Sequence, residues 1–201
     1  MRDDTSTRTR LLDLAQELAQ TRGINGFSFK HLARGVGIST ASVHHHFPTK
    51  DDLSREIMAR YRVEFAASLE EIARRTRSPR RKLEGLADLF RDTLRQGNRL
   101  CLCGMLATEY ATLPEPVRLE VRVFYRDTER WLRNVLEEGR REGTFRLDRP
   151  RARAAAKTYL ATLEGAMIAA RTFGEEGRIR EAAGWILASL GSTPRSSPKG
   201  R

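Results

Sequence analysis

The sequence predicts an all-α protein of about nine helices. Apolar residues recur at spacings of three and four along most of the 201 residues, and no β-branched run of strand length occurs. Ser, Thr, Gly and Pro stand where such helices would start and stop. Leu11, Leu14, Ala15 and Leu18 line a first helix ending near Gly23. Ser28 caps a short helix with Leu32 and Ala33, which Gly37 stops. Ser39 caps a third, with Ala41 and Val43, closed by Pro48, and Thr49 caps a longer fourth from Lys50 to about Arg75. Pro79 opens a fifth, whose fixed φ suits a first turn, and Gly97-Asn98 end it. A helix through Cys101–Ala111 follows, then the Pro114/Pro116 turn. Val117, Val121, Phe124, Thr128, Trp131 and Val135 then mark a long amphipathic helix ending at Gly143. Residues 150–172 and 176–190 form a final pair, lined by Tyr159, Leu163, Met167 and Ala170 and by Ile179, Ala183, Ile186 and Leu190. The segment 192–201 is rich in Ser, Pro and base and is expected to be a disordered basic tail.

Composition narrows the class of partner. With 39% hydrophobic residues and two Cys, the chain is neither globally disordered nor a disulfide-stapled mini-protein. No stretch approaches ~18 uncharged apolar residues, and the first ten lack an apolar core, so a soluble cytoplasmic protein without membrane contact is expected. The formal net charge of +11 suggests a polyanionic partner. That charge is uneven. Residues 1–52 hold seven bases and six acids, whereas Arg74, Arg75, Arg77, Arg80, Arg81 and Lys82 bring six bases and no acid.

Residues 28–47, SFKHLARGVGISTASVHHHF, carry the strongest motif. Two short helices that cross steeply need a small residue at the crossing, here Ala33, and a permissive backbone four positions later, here Gly37. Leu32, Val36, Ile38 and Val43 would pin the pair to a third helix, leaving the second helix's N-terminus, from Ser39, free to enter a major groove. With GINGFS before it, HHHF and PTKDDL after it, and Arg8/Arg10 at the start, the first ~55 residues resemble the N-terminal domain of TetR-family transcriptional regulators. His44 stands where that family most often has Tyr.

The resemblance implies a homodimeric repressor that binds a near-palindromic double-stranded DNA operator. A reader at 1–52 would be followed by a helical ligand-binding and dimerisation domain at 53–191. Carried over position by position, Ser39 joins the DNA-binding set at the start of the recognition helix, Thr40 and Ser42 face the groove, and His44 and His45 take the aromatic phosphate-contacting places. Ser28, Lys30 and Lys50 approach phosphates near helix N-termini, where backbone N–H groups favour anions. Successive residues on a helix point about 100° apart, so His44, His45 and His46 cannot converge on a metal ion, and neither metal nor cofactor is expected.

Cys101 and Cys103, in RLCLCGMLATEY, are read first as small buried residues. The segment also resembles that of a TetR-family branch that senses electrophiles or oxidants through a cysteine. In that reading Cys101 takes the place of the sensing thiol and Glu109 that of the family acid. Leu100 and Met105 depart from the branch pattern. Met105, Tyr110, Phe124 and Trp131 join them as candidate contacts for a small-molecule or electrophilic inducer. The last two helices are expected to form the dimer interface through Leu163, Met167, Trp185, Ile186 and Leu190 as half of a four-helix bundle. An enzyme is not expected. All four histidines, His31 and His44–His46, lie in the reader, and the larger domain has none for acid–base work.

Overall fold

The computed structural model describes residues 2–191, with side chains from Ser6 onward. The expected tail at 192–201 lies outside them. The described residues form nine α-helices and no strand: α1 (Arg2–Arg22), α2 (Phe29–Val36), α3 (Thr40–His46), α4 (Lys50–Arg75), α5 (Pro79–Arg95), α6 (Leu102–Thr108), α7 (Glu115–Arg141), α8 (Arg149–Phe173) and α9 (Gly177–Gly191). No helix among the described residues is long and apolar enough to cross a membrane.

The helices contribute to two compact units, Met1–Glu70 with Asp92–Thr128, and Glu71–Arg91 with Glu129–Arg201. In the first unit, Leu11, Ala15 and Leu18 of α1 are buried, as are Leu32 and Val36 of α2 and Val43 of α3. Ile38 is half-buried. Ile57, Met58, Tyr61 and Phe65 of α4 continue this core with Leu102 and Leu106 of α6 and with Val117, Val121 and Phe124 of α7. Tyr61, Phe65 and Phe124 form an aromatic cluster, with Phe65 and Phe124 centroids 4.8 Å apart.

The second unit packs Leu83, Leu86 and Phe90 of α5 and Leu132 and Leu136 of α7 with the inner faces of α8 and α9. Tyr159 is fully buried on α8 and donates its hydroxyl to the Leu83 carbonyl at 2.8 Å. Burial in apolar surroundings pushes the Tyr159 phenol well above its ordinary range. Lys82 Nζ reaches Glu138 at 2.7 Å, tying α5 to α7.

Two elements differ from expectation. The helix through Cys101–Ala111 is shorter: α6 stops at Thr108, and Tyr110–Thr112 make a separate 3-10 turn. Glu109 is drawn out of the helical path by bonds to another segment, described below. On α9, the inward stripe is Ile179, Ala183 and Leu187; Ile186 and Leu190 are only half-buried.

Candidate nucleic-acid interface

The helix pair is built by local rules. Ser28 caps α2 in an extended conformation and its backbone N–H donates to His31 Nδ1 at 3.0 Å. This is a reciprocal cap with His in the place usually taken by Glu or Gln, so the acidic signature of such caps is missing from the sequence. Gly37 ends α2 at φ 79°, a left-handed conformation that disfavours any residue with a Cβ, and its N–H returns to the Ala33 carbonyl. Ser39 then caps α3, its Oγ accepting the Ser42 N–H at 3.0 Å.

Val43 is the buried residue of α3, so the rest of the helix is turned outward. Ala41, His44 and His45 are exposed, and Thr40 and Ser42 are half-buried. At 100° per residue, Ala41 and His45 stand opposite Val43, flanked by Ser42 and His44. Ala41, which the sequence reading did not single out, stands at the centre of this outward face. Its methyl group has no hydrogen-bonding signal, although apolar contact with a thymine methyl is a standard way to read a base.

His44 is fixed at both ends of its ring. Nδ1 lies 3.2 Å from the Pro48 carbonyl, and the ring meets Phe29 edge-on at 4.8 Å. A carbonyl only accepts, so Nδ1 carries the proton and Nε2 of the neutral ring is left an acceptor. The His45 and His46 rings sit edge to face, 5.6 Å apart. Ser28 and Lys30 are exposed, and the Lys30 ammonium has no partner among the described residues.

Lys50 is placed differently from expectation. Its Nζ donates to the Phe27 carbonyl and lies over the Phe27 ring, 4.8 Å from the centroid. Burial there lowers the Lys50 ammonium below its ordinary value, and the Glu109 carboxylate offsets part of that. Lys50 therefore braces the α1–α2 loop as well as standing at the start of α4. Two arginines hold α1 in register: Arg8 grips Glu56 and covers the Phe47 ring, and Arg10 donates to the Val36 carbonyl at 2.8 Å.

The proposed sensing residues have partners within the protein. Cys101 and Cys103 are 2% and 0% exposed. Cys101 Sγ accepts from the Tyr61 hydroxyl at 3.6 Å, and Cys103 Sγ contacts Met58 Sδ at 3.8 Å. Glu109, expected to face an inducer, instead accepts the backbone N–H groups of Ile24 and Asn25 at 2.6 and 3.2 Å. It is a strut between the end of α6 and the loop after α1, reinforced where the Gln20 side chain donates to the Leu100 carbonyl at 2.9 Å. Tyr110 lies under Arg118 and accepts from Arg122 at 2.7 Å. Phe124 is spent in the aromatic cluster. Met105 and Trp131 are half-buried.

Of the residues expected at a dimer interface, Leu163 and Met167 are 0% and 1% exposed, consumed by the chain's own core and without surface to offer a partner. Trp185 is 73% exposed, and Ile168, which the sequence reading passed over, is 47% exposed on α8.

Comparison with known proteins completes the picture. Residues 11–57 match the family model described as bacterial regulatory proteins, tetR family, and residues 79–185 match the tetracyclin repressor-like C-terminal domain. The chain is 28% identical over 156 residues to the HTH-type transcriptional repressor KstR2 of Rhodococcus jostii, covering 73% of each. Its fold is similar to the crystal structure of a TetR-family transcriptional regulator from Agrobacterium tumefaciens. That match has a TM-score of 0.89 at 33% identity, over 94% of this chain and 100% of that one. A TetR transcriptional regulator from Legionella pneumophila is similar at a TM-score of 0.82 and 30% identity, over 90% and 95%. A capped, outward-facing α3 at the start of the chain and a family match on both sides of α4 lead to one conclusion: the chain belongs to the TetR family of DNA-binding transcriptional repressors.

Proposed function

We propose that the protein is a cytoplasmic homodimer that binds a near-palindromic operator and is released from it by a non-covalent small-molecule inducer. Reading is assigned to residues 1–52, and ligand binding and dimerisation to 53–191. The observation that carries the reading is the outward face of α3, where Ala41, Ser42, His44 and His45 project from a helix whose buried residue is Val43. Ser39 and Thr40 open that face, and Ser28, Lys30 and the remaining Lys50 donors are placed for phosphate. The buried, partnered sulfurs of Cys101 and Cys103 favour a non-covalent inducer over a thiol-reactive one.

The test is selection of genomic fragments on the purified protein, followed by footprinting. Two protected half-sites about one helical turn apart, ~34–36 Å, or a multiple of it, are expected. An Ala41→Glu variant should lose operator binding by at least tenfold while melting with the wild type, because the exposed position tolerates the change in the free protein. Equal enrichment of operator by the variant would overturn the assignment of α3. An inducer that binds better when the two readers are differently spaced would shift the population off DNA.

A further inference from the structure

We propose that one end of the second unit, formed where the α4–α5 turn meets the α7–α8 segment, is a sequence-independent binding surface for the phosphate backbone of duplex DNA, separate from the reader. The proposal rests on the DNA-binding reading only for the identity of the polyanion. Its geometry stands by itself. Pro79 opens α5 against the end of α7, where a Cβ at Gly139 would lie 3.1 Å from Pro79 and 2.3 Å from the Phe145 ring. Lys82 and Glu138 close the same junction at 2.7 Å.

Segments 74–82 and 140–153, far apart in sequence, therefore come together. The first holds six bases and no acid, and the second holds six arginines against Glu142 and Asp148. The neighbouring acids are largely taken up. Glu71 pairs with both Arg74 and Arg75, Glu84 holds Arg80 at 3.0 Å, and Asp148 lies 3.9 Å from Arg151. Arg77, Arg81, Arg149 and Arg153 are exposed, and their guanidinium groups have no partner among the described residues. The four lie near the starts of α5 and α8, two helices joined where Tyr159 donates to the Leu83 carbonyl. Their planar forks suit phosphate, and duplex DNA presents one charge per ~1.7 Å of axis. The reader, with seven bases and six acids in residues 1–52, supplies little long-range attraction of its own.

The test uses the full chain with its reader disabled by Ala41→Glu and His45→Glu, and a fluorescein-labelled 24-base-pair duplex of arbitrary sequence. Fluorescence anisotropy is followed as NaCl is raised. The reader-disabled protein is expected to retain the duplex at 50 mM NaCl. Adding Arg77→Gln, Arg81→Gln, Arg149→Gln and Arg153→Gln should weaken that binding at least tenfold and flatten the salt dependence, by about 0.9 in log–log slope for each lost phosphate contact. The matching four Arg→Lys changes, which keep the charge, should restore binding to within about threefold and guard against a folding defect. The proposal is overturned if the reader-disabled protein does not bind the duplex at 50 mM NaCl, or if the Gln variant binds it as well. It is also overturned if polyglutamate displaces the duplex at equal charge concentration, which would mark a site for acidic protein. Operator binding by the wild-type reader is scored separately, so failure of either reading is distinguishable.

Discussion

Val43 organises the reader because it is the buried side chain of α3, and its burial fixes which neighbours face away. The polar run Ser39, Thr40 and Ser42 was legible in the sequence as the small, polar opening of α3. Direction along the helix was not, and it moves the centre of the face to Ala41 and His45. Lys50 shows the same limit: its place in the motif was legible, but its bond to the Phe27 carbonyl was not, because that contact depends on how the α1–α2 loop folds back. Lys30, exposed and without a partner among the described residues, is the cleaner candidate to test as a phosphate donor. Lys30→Ala should weaken operator and random DNA alike and lower the salt slope by about one per half-site; a loss confined to one operator base would reject the role. The cysteines yield a simpler expectation. Both thiols should resist a small alkylating agent in the native protein and react fully in denaturant, as mass spectrometry would show.

Helix boundaries were legible wherever a cap or a glycine sets them, as at Ser28, Gly37, Ser39 and Gly143. They were obscured where a distant partner intervenes. The helix expected through Cys101–Ala111 ends early because Glu109 turns its carboxylate to Ile24 and Asn25. Nothing in the local pattern encodes that contact across more than eighty residues. The α8 stripe was legible as apolar, though not which surface covers it, and Tyr159 within it makes a specific prediction. Its folded-state pKa is raised, so the folded protein holds the phenol proton that the unfolded chain releases above about pH 10. The stability from the neutral, bonded phenol is complete below pH 10 and is lost as pH climbs beyond it, by about 1.4 kcal/mol at pH 11. Tyr159→Phe removes the bond to Leu83 at a cost of about 1 kcal/mol near neutral pH, but it also removes this alkaline loss. Urea midpoints at pH 9 and pH 11 should therefore fall further in the wild type than in the variant. Parallel shifts in the two proteins would show that the phenol titrates as it does in the unfolded chain.

Charge and apolar surface are distributed for different tasks. The net charge of +11 suggested the right class of partner, yet the outward residues of α3 are small, polar or imidazole-bearing, and the dense arginines lie elsewhere. The proposed association with a second copy would follow the same separation. Leu163 and Met167 were expected at the interface because helical periodicity marks an apolar stripe without saying whether the chain or its partner covers it. The structure uses both to join α8 to the rest of its own unit. What remains for a partner is the other side of the pair, where Trp185 on α9 and Ile168 on α8 are exposed and Ile186 and Leu190 are half-buried. In an isologous interface each residue counts twice. A buried Trp anchor is commonly worth ≥ 2 kcal/mol, so Trp185→Glu should remove about 4 kcal/mol from a dimer, roughly a thousandfold in its dissociation constant. Light scattering at 5–10 μM should then report a monomer of near 23 kDa where the wild type gives twice that mass. The free protein should keep its helical content, since Trp185 contributes little to the core of its own chain. Operator affinity should fall with dimerisation, because a single reader engages only one half-site. A variant that still scatters as a dimer would place the interface away from the exposed face of α9.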